Sequence, residues 1–187
     1  MLPFVDRRPA GVLTYGDYLR FPDDERWELI DGVAHMVAAP NPRHQAVLGR
    51  LHLRAGAYLE ARPELGRLYF APLDVVLTEH DVVQPDLVFV ADTSIITEKN
   101  VWGTPTWVVE IVSDPRRDRV LKLRAYARTG VPEYWIVDPV GDTIDVFLPA
   151  PGGGYAEPRR SAPGHTISPR ALPGLAIEVA DVLRRDR

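Results

Sequence analysis

The fold of this chain is decided by two apolar stretches, Val82-Val83-Gln84-Pro85-Asp86-Leu87-Val88-Phe89-Val90 and Trp107-Val108-Val109-Glu110-Ile111-Val112-Ser113. Both are rich in β-branched and aromatic residues, which is the composition of buried strands. Each contains one carboxylate, Asp86 or Glu110, where an apolar side chain would be less costly. An ionised carboxylate buried without a partner is strongly unfavourable or shifts its pKa. The two acids must therefore be paired with a cation, hydrogen-bonded or bound to a metal ion.

The spacing within each stretch indicates where the two carboxylates point. Side chains alternate between the two faces of a strand, so Asp86 shares a face with Val88. By the same rule Glu110 shares a face of its own strand with Val112. If the two strands are neighbours in register, we expect the carboxylates to converge.

Length and composition bound the class of protein. The 187 residues fit one domain, residues 1–187, and the absence of cysteine excludes a disulfide framework and thiolate chemistry. No apolar stretch approaches the length of a membrane span, and we expect a soluble, cytoplasmic protein. The net charge of −4 argues against a protein that binds nucleic acid over its whole surface, although a local basic patch is compatible with it.

Local signals predict the elements that surround the two strands. Asp31-Gly32 lies between two apolar runs and predicts a hairpin, so that Glu28 becomes a third acid inside a strand. A long helix is predicted from Arg43 to Arg62, and His44 extends its apolar stripe at the first turn.

The remaining elements alternate between strands and a basic helix. Asp114-Pro115 predicts the start of a second helix, which ends near Thr129-Gly130. That helix carries a dense positive set, Arg116, Arg117, Arg119, Lys122, Arg124 and Arg128. The predicted strands are Arg67 to Leu77, Val82 to Ala91, Thr106 to Ser113, Glu133 to Asp138 and Thr143 to Leu148, followed by edge strands and a terminal helical turn between Tyr155 and Val182.

Acids on two adjacent strands have a chemical interpretation. Hard divalent ions prefer oxygen ligands, and Mg²⁺ takes one or two protein carboxylates together with water and substrate phosphate. Such an ion polarises a phosphodiester and lowers the pKa of the attacking water. Phosphodiester hydrolysis is therefore the reaction that this pattern favours.

Seven segments, in this order, resemble one family. They are Glu28-Leu29-Ile30-Asp31-Gly32, Pro42-Arg43-His44-Gln45, Ala71-Pro72-Leu73-Asp74-Val75, Val83-Gln84-Pro85-Asp86-Leu87, Val109-Glu110-Ile111, Lys122-Leu123-Arg124-Ala125-Tyr126-Ala127 and Gly130-Val131-Pro132-Glu133-Tyr134-Trp135-Ile136-Val137-Asp138-Pro139. Together they resemble the Uma-type putative restriction endonuclease family, a branch of the PD…(D/E)xK nuclease superfamily. The resemblance implies an α/β (α+β) fold with a restriction-endonuclease-like αβββαβ core, about residues 26–148, a central mixed sheet and an N-terminal hairpin.

The resemblance also implies a role for individual residues. Asp86 and Glu110 would be catalytic ligands of Mg²⁺ or Mn²⁺, and Ile111 would add its backbone carbonyl. The superfamily lysine, two positions after the acid, is Val112 here, and Lys122 on the next helix takes its place as the third catalytic residue. The segment from Glu110 to Lys122 is shorter than the family pattern leads us to expect. The resemblance further places Glu28, His44, Gln45 and Tyr126 at the pocket rim, and Arg116, Arg117 and Arg119 are predicted to contact the nucleic-acid backbone.

Each assignment has a structural alternative. Asp86 could cap loop amides, and Glu110 could pair with an arginine of the second helix. Glu28 could lie on an exposed face, His44 could be a satisfied helix-start histidine, and Lys122 could be solvated like its basic neighbours. The sequence leaves these alternatives open.

At the level of the whole protein we expect a metal-dependent endonuclease that hydrolyses DNA phosphodiester bonds, with no membrane partner. The alternative is a catalytically decayed nuclease fold that binds nucleic acid or protein, favoured by Val112 and the short connection to Lys122. A structural or regulatory dimer is a third alternative. A homodimer would also suit an enzyme that cuts two strands, but no patch in the sequence requires one.

Overall fold

The structure is a computed structural model that describes residues 11–22 and 24–185. In these residues the helices are α1 (Tyr15–Tyr18), α2 (Pro42–Glu60), α3 (Lys122–Arg128) and α4 (Val179–Leu183), and a π-helical turn, Arg117–Leu121, precedes α3. The strands are β1 (Trp27–Ile30), β2 (Val33–Met36), β3 (Arg67–Phe70), β4 (Val75–Thr78), β5 (Asp81–Val83), β6 (Leu87–Val90), β7 (Val101–Trp102), β8 (Trp107–Ile111), β9 (Tyr134–Asp138), β10 (Thr143–Phe147), β11 (Arg159–Ser161), β12 (Thr166–Ile167) and β13 (Ile177–Glu178).

The strands form a central mixed sheet and a second sheet that packs beside it. The central sheet has the order β11-β10-β9-β8-β6-β3, and the second sheet has the order β2-β1-β5-β4-β7. In the central sheet β8 and β9 are parallel, while β3, β6 and β8 pair antiparallel. The succession α2, β3, β6, β8, α3, β9 confirms the predicted αβββαβ core.

The register of the central sheet brings the two acids together. Leu87 pairs with Val109 and Val88 pairs with Val108 in the antiparallel ladder of β6 and β8. Continuing this ladder by one residue places Asp86 opposite Glu110. The convergence expected from the sequence is therefore present.

Both faces of the central sheet are covered. On one face, Leu87 and Val109 pack with the apolar stripe of α2 and with the C-terminal segment. On the other face, Val88 and Val108 pack with α3 and with residues of the second sheet. Parallel and antiparallel strands that are buried on both faces read as continuous apolar runs, which is why β6 and β8 show no alternation in the sequence.

The predicted hairpin and the first long helix are confirmed. Asp31 and Gly32 have φ angles of 52° and 69°, as a two-residue turn with two left-handed positions requires. The helix α2 begins after Asn41, whose side chain accepts a hydrogen bond from the backbone N–H of His44. This cap places His44 in the first turn, where it is buried.

Two predicted strands are wrong as single elements. The predicted strand from Arg67 to Leu77 is divided into β3 and β4, and the predicted strand from Val82 to Ala91 is divided into β5 and β6. In each case the two halves belong to different sheets. Each break contains a proline, Pro72 or Pro85, which cannot donate to a strand ladder.

The second helix begins as predicted, since Asp114 Oδ1 accepts from the backbone N–H groups of Arg116 and Arg117. Its first part is π-helical, with the N–H of Lys122 donating to the carbonyl of Arg117. After residue 155 the chain adds β11 to the central sheet and forms the β12–β13 pair and α4, in agreement with the predicted edge strands and terminal turn. Across residues 11–22 and 24–185, none of the helices combines the length and the apolar character needed to cross a bilayer.

Candidate active site

Asp86, directly before β6, and Glu110 of β8 line a cavity of about 120 Å³ at the junction of the two sheets. The cavity is bounded by the first turn of α2, the connection from β5 to β6, the end of β8 and the π-helical turn. Polar side chains on its wall include Arg26, His44, Gln84, Asp86, Glu110 and Lys122.

Asp86 is held at the end of β6 by two contacts on one oxygen. Its Oδ2 accepts a hydrogen bond from the backbone N–H of Ile111 at 2.7 Å, and it lies 3.0 Å from Nε2 of His44. Because an ionised carboxylate is only an acceptor, Nε2 of His44 carries the proton in this contact. Among the described residues, no donor lies on Oδ1, which leaves that oxygen available to a ligand.

Glu110 is buried and is fixed in the same manner. Its Oε1 accepts from the ammonium of Lys122 at 2.9 Å and from the hydroxyl of Tyr126 at 2.7 Å. Within the described part of the chain, Oε2 has no donor. The predicted alternative in which Glu110 pairs with an arginine of the second helix is thus replaced by a contact with Lys122.

Glu28 lies beneath the cavity and completes the buried network. Its Oε1 lies 2.7 Å from Nζ of Lys122 and accepts from the backbone N–H of Gln84 at 2.8 Å. Its Oε2 is buried without a hydrogen bond, although Nε of Arg117 is 3.5 Å away. A buried carboxylate oxygen without a hydrogen bond is costly, so Glu28 is a destabilising member of the network.

Carboxyl groups outnumber cations in this network. The acids are Glu28, Glu110 and Asp118, with Asp86 adjacent, and the cations are Arg117 and Lys122. Burial, reinforced by the carboxylates of Asp86 and Asp118, raises the pKa of Glu110 well above its ordinary value. Burial by itself would lower the pKa of Lys122, but attraction by Glu110 and Glu28 outweighs it and raises that pKa. Lys122 is therefore a fixed cation, while the crowding of buried carboxylates favours the protonated form of Glu110.

The donor set fits a hard divalent ion. The N–H of Ile111 points to Asp86, and within a strand the N–H and C=O of one residue point to the same neighbour, so the carbonyl of Ile111 faces the same side. In the described part of the chain no three His, Cys, Asp or Glu side chains are grouped to hold a metal by themselves. Mg²⁺ needs only one or two carboxylates when water and phosphate complete its shell. Asp86, Glu110 and the Ile111 carbonyl meet that requirement.

The structure separates the predicted rim residues into two groups. His44 and Gln45 line the cavity. Glu28 and Tyr126, both fully buried, lie below its floor instead of at its rim, because each hydrogen-bonds to the buried network. The cation Lys122, predicted to act from the second helix, does reach Glu110.

The predicted phosphate-binding arginines are also placed differently from one another. Arg116 is exposed, whereas Arg117 is buried against Glu28. Arg119 pairs with the partly exposed Asp138 and with the buried Asp145 on β10. Arg117 engages its carboxylates through Nε, and Arg119 engages its two through both terminal nitrogens. Arg116 alone among the three stands without a carboxylate partner in the described residues.

Sequence reasoning missed two residues on the cavity wall. Gln84 lies directly before the Pro85-Asp86 pair, but its amide gave no indication of a role in the cavity. Arg26 gave no signal at all, because it precedes a strand at a position where any exposed side chain would be tolerated. Both were identifiable only once the two sheets were brought together.

Comparison with known proteins relates the chain to nucleases. The family described as "Uma2: Putative restriction endonuclease" matches residues 15–180. No curated protein matches the chain in sequence. A crystal structure described as that of "a putative nuclease belonging to DUF820 from Anabaena variabilis ATCC 29413" is similar with a TM-score of 0.76 and 18% sequence identity, covering 91% of this chain and 97% of that chain. At this level of identity the likeness shows the fold.

The family match extends from α1 to α4 and includes every residue of the candidate site named above. It supports a nuclease-like function, and restriction-endonuclease-like families generally use divalent metals. With residues 15–180 of its 187 matched, this chain belongs to the Uma2 family of putative restriction endonucleases.

Proposed function

We propose that the protein is a metal-dependent endonuclease that hydrolyses phosphodiester bonds of DNA. One observation carries the proposal: Asp86 and Glu110 face each other across β6 and β8 on the wall of a cavity, with the Lys122 ammonium 2.9 Å from Glu110. Two carboxylates and one fixed cation are the side chains that such a reaction requires.

The chain's own groups hold the two carboxylates in place before any ligand arrives. The Ile111 N–H and His44 fix one oxygen of Asp86, and Lys122 and Tyr126 fix one oxygen of Glu110. The second oxygen of each carboxylate is then presented in a defined direction. Groups that are oriented in advance cost no reorganisation when charge develops in the transition state.

A divalent ion held by Asp86, Glu110 and the Ile111 carbonyl would supply polarisation of the phosphate and an acidified water. Lys122 contributes as a cation, because its raised pKa keeps the ammonium protonated. It therefore stabilises negative charge on the phosphate and orients the attacking water, and it does not act as the base.

The proposal is tested by calorimetric titration of Mn²⁺ into the wild type and Asp86→Ala. We expect saturable binding to the wild type and loss of that binding in the variant. Glu157→Ala, which removes an exposed carboxylate, is the matched control and should bind as the wild type does. Equal binding to all three proteins, or no binding to any of them, would remove the metal site.

Supercoiled plasmid provides the test of catalysis. With Mn²⁺ present we expect nicked or linear product from the wild type and none from Glu110→Ala. A short duplex of RNA, offered in parallel, decides between DNA and RNA as substrate. Binding of DNA by the wild type without any cleavage would instead favour a decayed nuclease fold, an alternative to which the apolar Val112 at the usual lysine position points.

A further inference from the structure

Arg26 is a half-buried arginine on the cavity wall, and its guanidinium has an unusual set of partners. Its Nε donates to Oε1 of Gln84 at 3.1 Å, a neutral acceptor. Among the described residues, no carboxylate lies within ion-pair distance of it. The two terminal amino groups, which are the ones that grip phosphate bidentately, are not taken up by an acid.

Other arginines near the site differ in this respect. Arg117 lies against Glu28 and Asp118, and Arg119 pairs with Asp145. These internal ion pairs use the guanidinium groups to satisfy buried carboxylates of the chain. Arg26 therefore combines a place on the cavity wall with a charge that no acid of the described residues neutralises.

The orientation of the Gln84 amide is set by Asp74, which Tyr18 holds in place. Its Nε2 donates to Oδ1 of Asp74 at 2.9 Å, and the hydroxyl of Tyr18 donates to the same oxygen at 2.8 Å. Because a carboxylate only accepts, the amide nitrogen of Gln84 must face Asp74 and the amide oxygen must face Arg26. The side chain is therefore fixed as an acceptor for Nε of Arg26.

The cavity needs such a cation if an anion is to enter it. Asp86 and Glu110 on the wall repel a phosphate, and the charge of Lys122 is shared between Glu110 and Glu28. A guanidinium held by a neutral amide keeps its full charge, whereas one held by a carboxylate would lose most of its attraction for phosphate. An amide at position 84 is thus the side chain that orients Arg26 without neutralising it.

We propose that Arg26 is a phosphate-binding residue for the nucleic-acid backbone and that Gln84, oriented by Asp74 and Tyr18, is the residue that positions it. The proposal rests on the proposed function, since it assumes a nucleic-acid substrate. It assigns a substrate contact of the cavity to the residue directly before β1, supported from the β5–β6 connection, in addition to the basic helix that the sequence indicated.

The experiment measures binding of a fluorescent DNA duplex by anisotropy, in EDTA so that no cleavage occurs, over a series of salt concentrations. For Arg26→Gln we expect the affinity to fall about ten- to a hundred-fold, as for loss of hydrogen bonds to a charged group. The slope of log affinity against log salt concentration should also become shallower, by the equivalent of about one phosphate contact. The matched control, Arg159→Gln, removes an exposed arginine on β11 and should change neither quantity. Equal affinity and equal salt dependence for both variants would overturn the proposal.

A second variant covers the case in which Arg26→Gln fails to fold, as shown by its urea midpoint. Arg26→Lys retains the charge but loses the fork and the Nε contact. We expect it to keep the salt dependence of the wild type and to bind more weakly. Affinity unchanged from the wild type would overturn the role of the guanidinium.

A double-mutant cycle tests the positioning role of Gln84. Gln84→Leu should weaken DNA binding in the wild-type background and have no further effect in the Arg26→Gln background, because it acts through Arg26. An equal loss in both backgrounds would overturn it. Failure of the metal titration with Asp86→Ala would count against the proposed function without altering these measurements, so the two outcomes are distinguishable.

Discussion

Lys122→Met is the substitution that most directly tests the buried network. The ammonium of Lys122 lies 2.7 Å from Glu28 and 2.9 Å from Glu110. The three side chains are at most 3% exposed. Methionine fills nearly the same space without a charge, so the change removes the cation and leaves the packing. Glu28 and Glu110 would then stay buried without the ammonium. The remaining cation, Arg117, is already shared between Glu28 and Asp118.

The size of the effect follows from what each carboxylate retains. Removing one partner of a buried ion pair costs about 3–5 kcal/mol, because the other charge stays uncompensated. Glu28 keeps the backbone N–H of Gln84, and Glu110 keeps the hydroxyl of Tyr126, so we expect the lower end of that range. For a chain of this length, about 3 kcal/mol corresponds to a decrease in Tm of roughly 6–12 °C.

Urea and thermal unfolding at pH 7 measure this loss. The chain offers a matched control in its other lysine, Lys99, which is exposed, and Lys99→Met should stay within about 0.5 kcal/mol of the wild type. Glu28→Gln, added to Lys122→Met, should recover part of the stability because it removes one uncompensated charge. A free energy of unfolding for Lys122→Met within about 1 kcal/mol of the wild type would refute the described network.

Three further predictions concern stability away from the cavity. Asp145 accepts from Arg119 and Arg160, and although burial acts in the opposite direction, these hydrogen bonds hold its pKa below the ordinary value. Its contribution is therefore present above about pH 4 and is lost as pH falls through the folded pKa, so urea midpoints of wild type and Asp145→Asn should converge at acidic pH. Gly66 has a φ of 142°, and a Cβ there would lie 2.3 Å from the carbonyl oxygen at the end of β6, so Gly66→Ala should destabilise by more than about 1 kcal/mol. Gly49→Ala, in the middle of α2 with open space around it, should instead stabilise by roughly 0.5–1 kcal/mol in the same assay.

The parts of the fold that the sequence could predict are those specified by neighbouring residues. Asp31-Gly32 determines the hairpin, Asn41-Pro42 the start of α2 and Asp114-Pro115 the start of the second helix. The placement of Asp86 opposite Glu110 was predictable because alternation and an antiparallel register leave little choice once the strands are neighbours.

The division of strands between two sheets was not predictable in this way. The residues of β5 and β6 are equally apolar and equally buried, so composition gives no reason to assign them to different sheets. Which strand each one pairs with is decided by contacts between residues far apart in the chain, such as Leu29 with Val82. Arg26 and Gln84 meet beside the pairing of β1 with β5. For this reason neither could be recognised from its neighbours in the sequence.

The π-helical turn accounts for the position of Lys122 and for the burial of Arg117, which was predicted to contact the nucleic-acid backbone. In an α-helix, residues 117 and 122 would be about 1.4 turns apart and would point in different directions. In the π-helical turn the N–H of residue 122 bonds to the carbonyl of residue 117, so the two lie nearly in line. Arg117 and Lys122 can then both approach Glu28, at 3.5 and 2.7 Å. The wider turn thereby brings Lys122 to the buried acids across the short connection from Glu110, and it turns Arg117 towards Glu28 as well.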